Sequence, residues 1–414
     1  MKDEILAAID NPVQLEILYR SNKSAFKKEF NELYTEVASH PIAQAWNQRL
    51  NYDDAMISWG KKNELVFIII AALIAGFIAK IPAFFSIDED FFYPRNISFI
   101  VFPFLIFYFL WQNKADLKTV LFISGALVLS VVYINALPKN DSSDTFTLAC
   151  IHLPLFLWTT LALAFTSNNL KDYSVRMDFL RYNGDLFVMM AVLLLAGGIL
   201  AGITVGLFKL INIDIEDIFF KYIVIWELAA VPLVATFLVK TNPQLVNKVS
   251  PIVARIFTPI VLITLTFYLV AIIFAGKDPY NDREFLIIFN LLLIGVLAII
   301  FFSIAETSKD KISKINTYLL IALACITLIV NGIALSAIIF RLAQWGITPN
   351  RLTVLGGNTI IFIHLILVTI QLFKISKRDG DILSVERSIT AFLPVYAGWT
   401  IIVTFLFPLI FQFK

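Results

Sequence analysis

Along most of this chain the apolar residues neither alternate with polar ones nor recur on one helical stripe. They run in blocks of roughly 18 to 24 residues separated by short polar breaks, the length a helix needs to cross a hydrocarbon core of ~30 Å. Block by block, the pattern predicts spans over 65–85, 97–111, 119–137, 145–165, 186–208, 218–239, 251–275, 285–305, 317–340, 353–373 and 388–411. The expected fold is an all-α, polytopic transmembrane bundle of about eleven spans. The second block is short, so a tilted neighbour or a thinned bilayer compensates.

Residues 1–62 read differently. They are polar and amphipathic, and predict a small cytoplasmic helical cap ahead of the bundle in 63–414. Asn11 before Pro12 is a helix start, an N-cap followed by a residue whose missing N–H costs nothing in the first turn. A second helix carries Phe26, Phe30, Leu33, Tyr34 and Val37 on one stripe. Pro41 ends that helix or opens the next, which carries Ile42, Ala45, Trp46 and Leu50. Three short helices make a marginal core. The cap is therefore expected to pack on itself and on its own membrane loops, a second copy, a protein partner or the bilayer surface.

Composition excludes a soluble globular fold: 59% of residues are hydrophobic and 15% charged, with a mean hydropathy of +0.80. The net charge of +2 gives no basic field for a nucleic-acid partner; the lipid bilayer is the expected one. No cleavable signal peptide opens the sequence, because the first apolar run begins near Leu65, so the first span is the expected targeting signal.

Charge also sets orientation. Lys and Arg crowd the cap and alternate connections: Lys114 and Lys118; Lys171, Arg176 and Arg181; Lys240 and Lys248; Lys309, Lys311 and Lys314; Lys374, Lys377, Arg378 and Arg387. This set holds about 22 cations, against about 8 in the other connections, which include Arg95, Lys139, Lys209, Lys277, Arg283, Arg341, Arg351 and Lys414. The rule that cationic loops stay in the cytoplasm then places the N-terminus inside and Lys414 outside an inner (plasma) membrane. The acidic clusters at Asp88, Glu89, Asp90 and at Asp214, Glu216, Asp217 fall on the outer side and read as solvated loop tips.

Ionisable and polar groups inside spans are the best functional pointers, since each costs free energy unless paired or hydrated. Glu227 lies well inside the sixth span, and Pro232 frees a backbone carbonyl near it, so it is a candidate ion or proton site. The competing reading is a carboxyl that locks helix packing. His364 and His152 each occupy a span, and Asn135, Asn290, Asn331, Asn358 and Gln371 offer interhelical hydrogen bonds. Lys80 and Arg255 stand near span ends, where they can snorkel. Gly198, Gly202 and Gly206 form a close-packing face within the bundle or against another copy.

No nucleotide loop, dinucleotide fingerprint, zincin helix or serine elbow is present, and Cys150 and Cys325 stand alone in apolar stretches. No metal site and no cofactor is expected. The most distinctive stretch is Arg341-Leu-Ala-Gln-Trp345-Gly-Ile-Thr-Pro-Asn-Arg351, running on to Asn358. With the opening Asn11-Pro12, Leu15, Leu18 and Tyr19, it resembles an uncharacterised bacterial polytopic membrane family, domain of unknown function 4153. That resemblance implies a multi-pass fold and brings no activity with it. Physically, Arg341 and Arg351 are candidates for an outer anion clamp, or else meet headgroups or cap a helix end.

Candidate ligand-binding residues are thus Glu227, Arg341, Arg351, Asn358 and His364. The leading expectation is a transporter-like protein for a small solute or lipid-linked substrate, given Glu227 and the prolines at 82, 103, 154, 232, 259, 394 and 408. The alternatives are a non-catalytic scaffold or signalling subunit that binds a partner, or forms a homo-oligomer, through residues 1–62, and an intramembrane transferase built on the two arginines.

Overall fold

A computed structural model describes residues 2–51, 59–138, 143–246, 249–275, 280, 283–307, 314–377 and 381–413. Lys139, Lys248, Lys277, Lys309, Lys311, Arg378 and Lys414, all used above to assign orientation, lie outside the described residues. The chain divides into two compact units, Met1–Ser58 and Trp59–Lys414. The division falls just before the expected boundary because Gly60 already belongs to the bundle: its backbone is left-handed (φ 61°), and a Cβ there would lie 2.8 Å from the Thr241 methyl.

The first unit is a four-helix cap: α1 (Lys2–Ala7), α2 (Pro12–Ser21), α3 (Lys23–Val37) and α4 (Pro41–Asn51). Asn11 caps α2 as expected, its Oδ1 accepting from the Gln14 N–H at 3.2 Å. Pro41 opens α4 rather than closing α3. The sequence reading missed α1, which is too short to show a period but buries Ile5 completely. Phe26, Phe30 and Leu33 are fully buried as the stripe demanded, whereas α4 turns Ala43 inward instead of Ala45. Outside this core the Glu16 carboxylate accepts from Arg49 at 2.7 Å and Arg20 at 2.8 Å, and Arg49 lies over the Trp46 and Tyr19 rings. Those two guanidinium groups, Arg49 first, hold the Glu16 pKa below the ordinary carboxylate value of 4.5.

The second unit is all-α. Among the described residues, eleven helices are long and apolar enough to cross a membrane. They are α5 (Lys62–Ala79), α6 (Glu89–Gln112), α7 (Leu117–Ala136), α8 (Asp144–Thr166), α9 (Tyr173–Leu210), α10 (Glu216–Thr241), α11 (Val249–Ala275), α12 (Arg283–Thr307), α13 (Lys314–Trp345), α14 (Pro349–Ser376) and α15 (Ile382–Ile410). Three are broken. A 3₁₀ turn over Ile97–Ile100 and Pro94 interrupt α6, a wide turn over Phe219–Val224 opens α10, and another over Ile402–Leu406 bends α15.

A small apolar cluster of Leu148, Val403 and Phe407 joins α8 to α15, and two larger apolar cores hold the bundle. One gathers α5 to α8 and α10, the other α11 to α14 with the start of α15. Helix α9 belongs to both, giving Phe179 and Tyr182 to the first and Met177 to the second. Because lipid is as apolar as a leucine side chain, close packing rather than exclusion from water drives such helices together. Glycines admit large side chains where helices meet: Gly76 faces Trp226, Gly184 faces Phe302 and Gly356 faces Trp399, each too near for a Cβ. By contrast, among the described residues a Cβ at Gly198, Gly202 or Gly206 would have no neighbour within 4 Å, so these three glycines admit no large side chain there.

Several expected boundaries shift outward. The short second span becomes α6 because Asp88 caps a helix start at Glu89, its Oδ1 accepting from the Asp90 N–H at 3.1 Å. That acidic run is a helix N-terminus rather than a loop tip. Asp214 likewise accepts from the Glu216 N–H, and Lys209 pairs with Glu216. Lys80 does not snorkel: it is 2% exposed and donates to the Lys221 carbonyl at 2.8 Å, its Nζ over the Tyr222 ring. The largest change is in α9, whose 38 residues reach roughly 57 Å at 1.5 Å per residue, well beyond a ~30 Å core. Arg176 and Arg181, expected in a connection, stand on its first turns.

Candidate functional site

The extra turns of α9 put charge against the rest of the bundle. Asp178, Arg181, Tyr182 and Asp185 follow one another at helical spacing and so share one face of α9. They look into a cavity of about 740 Å³ whose other walls are Phe109 and Asn113 at the end of α6, Phe165 at the end of α8, and Val239 and Lys240 at the end of α10. Every wall comes from the same end of the bundle, the end that carries the basic connections.

Arg181 ties α9, the helix common to both cores, to the second core beside this cavity. Its Nε donates to the Ala305 carbonyl of α12 at 2.9 Å, one terminal nitrogen to Asp178 Oδ1 at 2.7 Å, and the other to Glu386 Oε1 of α15 at 2.7 Å. The Arg181 and Glu386 side chains are 16% and 8% exposed, so this pair is largely removed from water. Asp185 is buried and accepts from the Ser250 hydroxyl at 2.6 Å. Tyr182 donates to Thr236 Oγ1 at 2.8 Å, since the Thr236 hydroxyl already donates to the Pro232 carbonyl.

Lys240 is different. Its Nζ stands 5.2 Å from the centre of the Phe165 ring and 5.7 Å from that of Phe109, and among the described residues it forms no ion pair. Two phenyl faces steady an ammonium by about 0.5–1 kcal/mol each at an accessible site, without neutralising it. The charge is therefore left facing the cavity.

The residues singled out from sequence do not converge on this cavity. Glu227 is half-buried at the α9 to α10 contact, its Oε1 so close to Gly197 that a Cβ there would fall within 1.8 Å of it. It does not line the 740 Å³ cavity. Arg341 and Arg351 do converge, but on an indole: their guanidinium carbons lie 5.5 and 5.6 Å from the Trp345 ring. Arg341 donates to the Tyr280 carbonyl at 2.8 Å, and Arg351 donates to the carbonyls of Trp345 and Gly346 at 2.7 Å each, closing the C-terminus of α13. Arg351 thus has the geometry of a helix cap, while Arg341 ties α13 to the connection that holds Tyr280.

Asn358 is an interhelical clasp, donating to Asn290 Oδ1 at 2.8 Å while its backbone carbonyl accepts from Asn331 at 3.1 Å. His364 is fully buried, stacked 4.4 Å from Phe392, with Nδ1 3.0 Å from the Tyr396 hydroxyl. A second polar hollow, of only about 20 Å³, lies between α11, α12 and α13 and is lined by Arg255, Thr258, Ser303, Glu306 and Asn316. Among the described residues no group of three or more His, Cys, Asp or Glu is placed to hold a metal ion.

Asp185 and Glu306 escaped the sequence reading because each stands one residue outside an expected span. The signal that reveals the cavity is the spacing Asp178, Arg181, Tyr182, Asp185, which marks a continuing helix face rather than a loop. No family model, no curated protein and no solved structure matches the chain.

Proposed function

We propose that the protein is a transporter-like inner-membrane protein that admits a small polar solute through the 740 Å³ cavity. The observation that supports this reading most directly is the cavity itself: it is of solute-binding size, lies at one end of the bundle, and carries an ammonium, Lys240, that forms no ion pair among the described residues. Its position also suits transport. It lies along α9, the helix shared by both cores, and Arg181 at its wall fastens α9 to α12 and α15 of the second core, so movement of those helices against the rest changes its shape. Glu227 is not needed in this reading, which moves the proposed site from mid-span to the basic end. The excess of cations in the cap and alternate connections supports a cytoplasmic N-terminus and a C-terminus outside, with the cavity at the cytoplasmic end.

The test is access from the far side. Thr236 is fully buried on α10, three residues from the cavity wall at Val239. In proteoliposomes of the full chain lacking Cys150 and Cys325, Thr236→Cys is expected to react with a membrane-impermeant thiol reagent applied opposite the basic end. A cysteine at Val239 should react from the basic end. Reaction of Val239→Cys alone, with Thr236→Cys silent from both faces, would leave a one-sided vestibule and remove the case for transport.

A further inference from the structure

We infer that the cavity selects a zwitterion, a small solute carrying one carboxylate and one ammonium, as an α-amino acid does; this rests on the cavity being a solute site. The charges on its wall are unmatched in a particular way. Arg181 on the wall brings one positive charge, and two carboxylates each sit 2.7 Å from it, Asp178 on the wall and Glu386 outside the lining, while the wall's other carboxylate, Asp185, is buried on the Ser250 hydroxyl. Glu386 is the more buried of the two, with 8% of its side chain exposed against 54% for Asp178. The buried pair thus satisfies Arg181, and Asp178 holds surplus negative charge toward the cavity. On the facing helix Lys240 holds positive charge beside two phenyl rings, and Asp178 acts on it electrostatically without forming an ion pair among the described residues.

Asp178 and Lys240 line the same cavity yet form no ion pair with each other among the described residues. An ammonium and a carboxylate held apart across a space of this size present complementary ends to a dipolar solute. A simple anion satisfies only Lys240 and meets the surplus of Asp178 as repulsion; a simple cation meets the reverse. The Phe109 and Phe165 rings beside Lys240 give an apolar body somewhere to lie, so amino acids with apolar side chains are the favoured subset.

The test needs no variant to begin. Binding of L-phenylalanine to the full chain in detergent is measured by calorimetry against 3-phenylpropionate, which lacks the amine, and 2-phenylethylamine, which lacks the carboxylate. L-Leucine is run against 4-methylpentanoate and 3-methylbutylamine in the same way. Each analogue forfeits one charge-assisted contact and is expected to bind at least about tenfold more weakly than its amino acid. Lys240→Met should erase the advantage of phenylalanine over phenylethylamine, and Asp178→Asn its advantage over phenylpropionate, each leaving the other advantage intact. Two results overturn the inference: an acid that binds as tightly as its amino acid, or no binding of either amino acid at millimolar concentration. In the first case the solute-site reading survives. In the second, labelling of Thr236→Cys decides whether that reading survives too.

Discussion

Replacing Glu386 by alanine removes the buried partner of Arg181 and leaves the guanidinium with the Ala305 carbonyl and Asp178. Breaking a fully buried pair at one end costs about 3–5 kcal/mol, because the surviving charge has lost its solvation without compensation. Here the cost is reduced on two counts. The Arg181 side chain keeps 16% of its exposure, and Asp178 at 2.7 Å still neutralises it. We therefore expect a loss of about 2–3 kcal/mol. The double variant Arg181→Met, Glu386→Met removes both charges together, and its loss should be smaller than that of Glu386→Ala, since an apolar pair of similar volume carries no desolvation penalty.

The assay is equilibrium unfolding of the full chain in mixed micelles, with the four corners of the Arg181 and Glu386 cycle measured under one set of conditions. The coupling should be favourable by more than about 1 kcal/mol. Glu386→Ala costing under about 0.5 kcal/mol, the range of an ordinary surface change, would mean that the pair is hydrated and does not tie α9 to α15. The mechanical role given to Arg181 beside the cavity would then have no support.

Glycine positions offer a paired test of packing. A Cβ at Gly184 would lie 2.1 Å from Phe302, so Gly184→Ala should lower stability by about 1–3 kcal/mol, whereas Gly198→Ala meets nothing and should be neutral or slightly stabilising in the same unfolding assay. Equal effects would refute the helix contacts described here. In the cap, Glu16 is held below its unfolded pKa, so its contribution is complete above the ordinary value of 4.5 and is lost as pH falls through the lower folded value. Hydrogen exchange of α2 and α4 in the full chain should show this acid loss in the wild type and not in Glu16→Gln; identical acid limbs would discount the Arg49 contact. Arg351→Ala removes the one terminal nitrogen that donates to both the Trp345 and Gly346 carbonyls, and should loosen the end of α13. Unchanged Trp345 emission and amide protection there would discount the cap.

How far the sequence carried the fold follows from which signal each feature leaves. Spans are legible because hydrophobic length is a one-dimensional property, and eleven were readable without any knowledge of packing. The cap stripe of Phe26, Phe30 and Leu33 was legible for the same reason: one period, one buried face. What was not legible is where a span stops when its helix does not. Apolar composition ends near Leu186, yet the α9 hydrogen-bond ladder begins at Tyr173, and the intervening charges are tolerated because they find partners on other helices: Arg181 on α12 and α15, Asp185 on Ser250. A hydropathy window reads those residues as loop, since it scores transfer to lipid and they are never transferred to lipid.

The same distinction explains the candidate residues. Glu227, Asn358 and His364 were chosen because they are polar at membrane depth, and depth does not separate a ligand site from an interhelical bond. Asn358 meets Asn290, His364 meets Tyr396, and Glu227 meets a glycine made small enough to receive it. A solute site requires something composition does not encode, a charge that the protein leaves unmatched in a space open to water. Lys240 has that property because the helix ends around it supply phenyl faces, and Asp178 acts on it without closing an ion pair among the described residues, an arrangement set by helices far apart in sequence.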